Sequence, residues 1–405
     1  STMTANGGTW INALTLSTNS ITFTLADNWT VSGAFTISGN NVTIDGFSMN
    51  VGGNFLVSNG TIAGSTTTFV LNGTGTWSGA GALSNNVTIN TTGTITISGA
   101  VTYRSGTLTY TAGTVTTTGS TLTISTSCTL NTNGIVWNAI TISVVSTITN
   151  NSALTIAGTL TLSGAGSNII NGSDVNIQGG YSASSGRNLS GTANLYINGS
   201  ANQNMNASIS ALIANNLTIN SSGIITITNG FTYLTGVFTY IAGTVTVGGT
   251  MTFSGSCTLD LAGIVFGAIT FSATATITIN SLLTATGTVT MSSFNITFAG
   301  SSSWTCGTLS LTTGDCVLAS SKTYTITAGI LVVATEANHA SFTSSTGGVQ
   351  AILTLSSGAT QDLGFCNATD IKSELGIYIC SRKGVLTNAT GWRLLTAPVS
   401  TGVIG

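Results

Sequence analysis

Residues 107–124 read TLTYTAGTVTTTGSTLTI, and this stretch decides the fold. Threonine alternates there with Leu, Val or Ile, in units that begin seven residues apart at Thr107, Thr114 and Thr121. Successive side chains of a β-strand point to opposite faces, and β-branched residues favour the extended backbone. Gly and Ser separate the units, where the chain must turn. The stretch therefore predicts short strands with apolar side chains on one face and threonine on the other.

The same stretch belongs to a longer internal repeat. Residues 85–161 reappear at 215–290, about 130 positions later, with apolar residues replaced by apolar ones and small residues by small ones. Repeats of this kind are typical of stacked architectures rather than of one closed globule. Together with the period of two, the repeat predicts an all-β fold, a parallel β-solenoid (β-helix) rod. Its coils would contribute two or three strands each, with Val, Ile and Leu inside and threonine ladders outside.

The composition agrees with a rigid β-structure and excludes several classes of protein. The chain holds 51 glycines and one proline, and only 4% of its residues are charged, against roughly 25% in ordinary globular proteins. A hydrophobic content of 41% argues against disorder. No apolar run approaches about 18 residues, so we expect no membrane insertion. With a net charge of −2 and no basic face, nucleic acid is not an expected partner.

Charge and patterning divide the chain. Ten of the sixteen charged residues lie between Asp315 and Arg393, and the threonine pattern fades after about residue 330. We expect a small C-terminal β-module there, anchored by Trp392. The predicted organisation is an N-terminal β cap with the first coils at 1–84, solenoid repeats at 85–210 and 211–335, the C-terminal β-module at 336–395 and a tail at 396–405.

The six cysteines allow more than one interpretation. Cys128 and Cys257 occupy equivalent repeat positions beside apolar residues, which is typical of small buried side chains. Cys366 and Cys380 are a candidate disulfide within the C-terminal module. The spacing of Cys306 and Cys316 would also permit a bridge, and sequence does not fix the connectivity. No CxxC motif occurs and the chain has a single histidine, so we predict no metal site and no cofactor.

Catalytic patterns are weak. A Ser–His–Asp arrangement would depend on His339, which lies in a polar junction. Asp370 and Glu374 are four positions apart in a charged segment that is typical of a loop, and the other carboxylates are scattered. We therefore predict that the protein is not an enzyme and has no catalytic residues.

A family resemblance gives a more specific expectation. The repeats NLTIN at 216–220 and TYIAGTVT at 239–246 resemble those of large virion and tail-associated proteins of tailed bacteriophages. The run QDLGFCNATDI at 361–371, followed by Trp392, is similar to a module that recurs at the ends of such proteins. The resemblance spans most of the chain. It implies a structural tail fibre, spike or surface decoration on the virion surface that contacts other virion proteins and carries no catalytic motif.

Two other classes stay open. The chain could be a secreted bacterial or archaeal adhesin or an extracellular filament subunit. A solenoid that binds polysaccharide or ice is a further alternative, against which the interruption of the threonine units by Tyr, Ser and Gly counts. In every case the low-charge rod predicts self-assembly into a homo-oligomer. Recognition of a partner, for example a host surface glycan, is expected at the C-terminal module, which otherwise only caps the open edge. The candidate recognition residues are Asp370, Glu374, Tyr378, Trp392 and Arg393.

Overall fold

The computed structural model describes residues 9–10, 12–64, 66–164, 166–184, 186–207, 211–292, 295–374, 379–381 and 383–394, without the side chains of Thr9, Trp10 and Cys380. These residues form strands and turns and contain no helix. The chain forms two compact units, Ser1–Gln203 (unit 1) and Asn204–Gly405 (unit 2). In the described part of the chain, no helix is long and apolar enough to span a membrane.

The strands are short and follow one another closely. The first 28 are β1 (Thr9–Trp10), β2 (Leu14–Leu16), β3 (Thr22–Leu25), β4 (Trp29–Val31), β5 (Phe35–Ile37), β6 (Val42–Gly46), β7 (Met49–Val51), β8 (Phe55–Val57), β9 (Thr61–Ala63), β10 (Thr68–Leu71), β11 (Gly75–Ser78), β12 (Ala82–Leu83), β13 (Asn86–Ser98), β14 (Ala100–Tyr103), β15 (Thr107–Thr116), β16 (Thr121–Ile124), β17 (Cys128–Asn131), β18 (Val136–Trp137), β19 (Ile140–Ile142), β20 (Thr147–Asn150), β21 (Leu154–Ile156), β22 (Thr159–Leu162), β23 (Gly166–Gly172), β24 (Val175–Ile177), β25 (Gly180–Ala183), β26 (Arg187–Ser190), β27 (Leu195–Ile197) and β28 (Gln203–Ala207).

The remaining strands are β29 (Leu212–Ile213), β30 (Leu217–Ile227), β31 (Thr232–Tyr233), β32 (Gly236–Val247), β33 (Thr250–Phe253), β34 (Cys257–Asp260), β35 (Val265–Phe266), β36 (Ala268–Phe271), β37 (Ala275–Ile279), β38 (Leu283–Ala285), β39 (Thr288–Met291), β40 (Ile296–Ala299), β41 (Trp304–Leu311), β42 (Gly314–Leu318), β43 (Thr323–Val332), β44 (Ala340–Ser344), β45 (Ala351–Leu355), β46 (Thr360–Leu363), β47 (Cys366–Thr369), β48 (Ile371–Lys372), β49 (Ile379–Ser381), β50 (Leu386–Thr387) and β51 (Trp392–Leu394).

Each unit is a parallel β-solenoid, which confirms the predicted fold class. Each strand pairs in parallel with the strand one coil further along, so that Leu14 lies opposite Phe35 and Thr123 lies opposite Thr141. Three sheets result in each unit. In unit 1 the first sheet contains β4, β7 and β10, the second contains β5, β8 and β11, and the third contains β6, β9 and β12. Parallel strands of this kind need connections that leave the sheet, and here the rest of the coil supplies them.

The apolar residues of the alternating pattern point inward and fill the interior of the coils. Leu108 and Leu122 are fully buried, as the sequence predicts, while Val115 is half-buried near a corner. Aromatic rings stack from coil to coil. In unit 1 the rings of Phe55 and Phe69 lie 5.1 Å apart, and in unit 2 those of Phe271 and Phe298 lie 5.2 Å apart. Burial of such rings is the main stabilising contribution in a chain with so few charges.

Polar side chains fix the corners between coils. The Oδ1 atom of Asn86 accepts a hydrogen bond of 2.8 Å from the backbone N–H of Thr107, one coil further on. Asn216 makes the equivalent bond of 2.9 Å to Val237 in unit 2. These bonds pair backbone N–H groups that the sheets leave unpaired at the turns. The regular Asn and Ser residues of the sequence therefore join one coil to the next.

A bulge recurs at one corner of each unit. The register between β13 and β15 shifts near Asn90, and that between β30 and β32 shifts in the same way. In unit 1 the hydroxyl of Tyr110 donates a 2.7 Å hydrogen bond to the carbonyl of Gly113, whose φ of +110° favours glycine. Tyr240 and Gly243 repeat this arrangement in unit 2. The long strands β13 and β15 thus bend around the corner instead of ending there.

The coil stacking of unit 2 extends into the segment where the sequence predicts a separate module. β42, β44 and β47 pair in parallel, which places Cys316 beside Phe342 and Phe342 beside Ala368. β45 and β46 both pair with β43, and β49 pairs with β51 in a small sheet of their own. Strands of the 336–395 segment therefore extend the sheets of unit 2. The predicted tail at 396–405 lies outside the described residues.

Candidate binding surfaces

The C-terminal recognition residues expected from the sequence do not form one exposed surface. Trp392 is 6% exposed, and its ring lies 6.0 Å from that of Phe342. This burial agrees with its predicted role as an anchor. Asp370 is also nearly buried and has a φ of +55°, and its carboxylate accepts hydrogen bonds from the Gly348 N–H (2.9 Å) and from Asn388 Nδ2 (2.5 Å). These two bonds lower the pKa of Asp370.

The other members of that set are placed differently. Glu374 forms a half-exposed ion pair of 2.8 Å with Lys372. Arg393 is exposed on β51, opposite Cys380. Tyr378 lies outside the described residues. Exposed pairs such as Lys372–Glu374 contribute roughly 0–1 kcal/mol, so this pair adds little to the stability of the fold.

Another surface cluster consists of exposed and half-buried side chains that are far apart in the sequence. We call it the Phe365 cluster, and it consists of Glu336, His339, Phe365, Asn367 and Lys383. Lys383 Nζ lies 5.4 Å from the centroid of the Phe365 ring and 3.5 Å from Glu336 Oε1. The His339 ring lies 5.5 Å from the Phe365 ring, and its Nδ1 lies 3.5 Å from Asn367 Oδ1.

The coil period explains why this cluster is hidden in the sequence. Phe365 and Lys383 are 18 positions apart and are joined by a parallel bridge, and the backbone N–H of Ala340 bonds to the carbonyl of Phe365. Residues one coil apart become neighbours, so a search at separations near 20 would have found the pair Phe365 and Lys383. It would have missed His339 and Asn367, which are 28 positions apart, and Glu336 and Lys383, which are 47 apart. The cluster combines both signs of charge, a ring and an imidazole on one surface. Such a mixture suits specific recognition better than the uncharged ladders do.

One sheet of each unit carries a regular array of threonines on its outer face. In unit 1 it is the third sheet, and the array is Thr102, Thr121, Thr123, Thr141, Thr159 and Thr161. In unit 2 the array is Thr232, Thr250, Thr252, Thr270, Thr288 and Thr290. All of these side chains are half-buried. We call these sets the threonine arrays.

The threonine arrays are built on unbroken register. Thr102 lies opposite Thr123, Thr123 opposite Thr141, and Thr141 opposite Thr161, with no shift in these pairings. The register shifts near Asn90 fall where β13 and β15 pass from the first to the second sheet. Neighbouring strands lie about 4.8 Å apart, and alternate residues along a strand about 6.7 Å apart. In each array one column holds threonine in four successive coils, and the second column has an alanine between its two threonines, Ala139 in unit 1 and Ala268 in unit 2.

The five cysteines whose side chains the structure describes are buried. Cys128, Cys257, Cys306, Cys316 and Cys366 are free thiols within the solenoid interior, which confirms the burial predicted for the first two. Burial raises the pKa of the Cys128 and Cys257 thiols to about 12 and raises that of Cys316 as well. Cys366 is unbridged in the structure, and because the side chain of Cys380 lies outside the described residues, the bridge between them stays a prediction that only chemical mapping can test.

Most carboxylates are engaged in bonds between coils. Asp174 Oδ1 accepts a 2.9 Å bond from Asn194, Asp45 accepts one of 3.2 Å from Thr66, and Asp315 accepts one from Ser341. Among the described residues, no three His, Cys, Asp or Glu side chains are grouped so that they could hold a metal ion. The lowered pKa of Asp370 is opposite to the shift that a general acid requires near neutral pH.

Comparisons of the chain with models of protein families, with curated proteins and with solved structures found no match. The resemblance to virion proteins therefore depends on the residues quoted above and stays a prediction.

Proposed function

We propose that the chain is a non-enzymatic structural component of a virus particle, such as a tail fibre, spike or surface decoration, and that it works as a homo-oligomer. The observation that carries the proposal is the division of its surface. Uncharged hydroxyl ladders cover the coils, and ten of sixteen charged residues fall between Asp315 and Arg393. The residues before Asp315 include only six charged ones, so this part of the chain offers little electrostatic resistance to side-by-side packing of copies. The charged end offers the specific contacts that a host or a neighbouring component requires.

The chemistry of the side chains supports a structural role. The thiols are buried and mostly protonated at neutral pH, since burial raises the pKa of Cys306 and Cys366 to about 12. The carboxylates of Asp45 and Asp174 bond to neighbouring coils. Stiffness then comes from the parallel ladders and the stacked rings, which is what a fibre needs.

Attachment, within this proposal, belongs to the Phe365 cluster, and the half-exposed Glu374 and the exposed Arg393 are further candidates. A host surface glycan presents hydroxyls and carboxylates that Lys383, His339 and Asn367 could bind. Each of these side chains is exposed or half-exposed. Trp392 and Asp370 would act indirectly, by holding the last coils in place.

Assembly and location test the proposal. Sedimentation velocity of the purified chain should give a defined oligomer, and negative-stain images should show elongated particles. Antibodies against the chain should label virus particles in the sample from which the sequence came. A monomer at high concentration that hydrolyses a polysaccharide would refute the proposal. Labelling of cell surfaces instead of particles would favour a secreted adhesin or filament subunit.

Attachment can be tested separately from assembly. The charge reversal Lys383→Glu changes the Phe365 cluster, whereas Lys322→Glu changes a half-exposed lysine outside it and serves as the control. We expect the first variant to lose binding to host cells while keeping the oligomer, and the second to keep both. If both variants bind normally, the Phe365 cluster is not the attachment site.

A further inference from the structure

The two threonine arrays are conserved between the copies more strictly than the core beneath them. All six outward threonines of unit 1 are threonine at the matching positions of unit 2. The inward residues of the same strands have changed at six of eight positions. The changed pairs are Val101 and Phe231, Leu122 and Met251, Ile124 and Phe253, Ile142 and Phe271, Leu160 and Val289, and Leu162 and Met291.

If stability alone governed the differences between the two copies, outward residues would change more often than core residues, and here the opposite is observed. Surface substitutions usually change stability by less than about 0.5 kcal/mol, whereas core substitutions cost more. Outward threonines elsewhere are kept at some positions, such as Thr129 and Thr258, but changed at others, from Thr94 to Ile224, from Thr107 to Val237 and from Thr111 to Ile241. Val and Ile favour strands as well as Thr does. A preference for strand formation therefore does not explain why every hydroxyl of the arrays is kept.

The regularity of the arrays indicates the kind of ligand. A uniform ladder presents the same surface after a shift of one coil, so it fixes the register of a protein partner poorly. A ligand that repeats with a similar spacing gains from every row. The arrays contain no charged, amide or aromatic side chain, and these are the groups that orient a sugar or a peptide. The described Trp side chains are buried.

We propose that the threonine arrays bind ice. Each threonine holds a methyl and a hydroxyl group in a restricted χ1 rotamer, and the parallel register repeats that pair about every 4.8 Å along the column of four threonines in each array. The array is therefore ordered before it meets the ligand, which lowers the entropic cost of binding. Water molecules held between the rows can bridge the hydroxyls to the lattice nearly as well as direct bonds.

In the sequence, other residues interrupt the threonine units, which counts against ice binding. The directions of the side chains in the structure answer this objection. Tyr103 and Tyr233 interrupt the threonine pattern, but both rings are fully buried and leave the outer face even. Ala139 between Thr121 and Thr159, and Ala268 between Thr250 and Thr288, are smaller than threonine and do not protrude. Ice binding does not depend on a virus particle, so this proposal and the proposed function can fail separately.

The experiment measures how much protein enters a slowly growing ice front, with serum albumin as the excluded reference. The paired substitution Thr141→Tyr with Thr270→Tyr places a bulky ring in the middle of both arrays. The matched control is Thr129→Tyr with Thr258→Tyr, at equivalent outward and half-buried positions of another sheet. We expect enrichment of the wild type and of the control in ice, and exclusion of the array variant.

A second variant guards against misfolding. Thr141→Val with Thr270→Val keeps the shape and strand preference and removes only two hydroxyls, so a partial loss of ice enrichment is expected with an unchanged circular dichroism spectrum. Exclusion of the wild-type protein from ice would overturn the proposal. So would equal losses in the array and control variants. Array-dependent binding to cellulose or chitin, or conversion of an oligomer to a monomer by the array variant alone, would assign the face to a polysaccharide or to a second copy instead.

Discussion

Removal of one ring from the interior of unit 2 should weaken several coils at once. Phe271 is 1% exposed and packs against Phe253 at 5.5 Å and Phe298 at 5.2 Å. Phe271→Ala leaves a cavity and should cost about 3–5 kcal/mol. The two ring pairs account for roughly 1–3 kcal/mol of this, at 0.5–1.5 kcal/mol each. Amide hydrogen exchange of β33, β36 and β40 should then accelerate by two to four orders of magnitude, since about 1.4 kcal/mol corresponds to a factor of ten.

The repeat supplies a matched control for this substitution. Unit 1 has Ile142 at the position of Phe271, so Phe271→Ile keeps a core residue that the fold already accepts. It loses the ring pairs but little of the apolar burial, and should cost only about 1–3 kcal/mol. Exchange by peptide is the appropriate assay, because stacked repeats need not unfold in one step. Equal exchange rates in the two variants, or less than tenfold acceleration in Phe271→Ala, would refute the stacking argument.

Three further predictions concern the corners, the thiols and acid stability. Asn216→Ala should lower the free energy of unfolding by about 1 kcal/mol and speed hydrogen exchange of the Val237 amide, because that N–H loses its acceptor. An unchanged exchange rate would contradict the role of Asn216 at the corner. Cys128 and Cys257 should resist alkylation by iodoacetamide at about pH 8 until the chain is unfolded. Mass mapping of unreduced peptides checks separately whether Cys366 is bridged to Cys380. Hydrogen bonds from Asn388 and Gly348 lower the folded-state pKa of Asp370. The ionised Asp370 carboxylate therefore stabilises the fold above the ordinary carboxyl pKa of about 3.9. This stabilisation is lost as the pH falls towards the lowered pKa. Asp370→Asn should reduce the acid sensitivity of the last coils in limited proteolysis between about pH 5 and pH 2.

The alternating pattern predicted the strands and their inward faces because it repeats locally. Leu108, Leu122 and Ile227 are all buried. The number of sheets per unit and the pairing register were not predictable in this way, because both depend on where the corners fall. Asn86 fixes such a corner, yet its sequence neighbourhood does not distinguish it from Asn85, whose side chain is buried and bonds to Ile44.

The surface was harder to predict than the core. The charged residues near the C-terminus appeared to form one recognition set, but Trp392 and Asp370 are largely buried and complete the last coils. Phe365 and Lys383, which lie together, are separated by one coil in sequence. Tyr103 interrupts the threonine pattern in the sequence, so the threonine array could not be recognised as one continuous face. The strand register decides to which face the Tyr103 ring points, and the sequence does not give that register. Period-two patterns give the face of a residue only when the register is unbroken.

The comparison of the two copies separates the parts of the surface that are shared from those that differ. The threonine arrays are identical in both units, so a ligand bound there meets the same chemistry twice. Ile224, Val237 and Ile241 replace threonines and are 43%, 41% and 60% exposed. These exposed apolar side chains occur only in the second copy of the repeat. A partner that binds only one of the two units must therefore contact positions such as these, whereas binding to the threonine arrays does not depend on them.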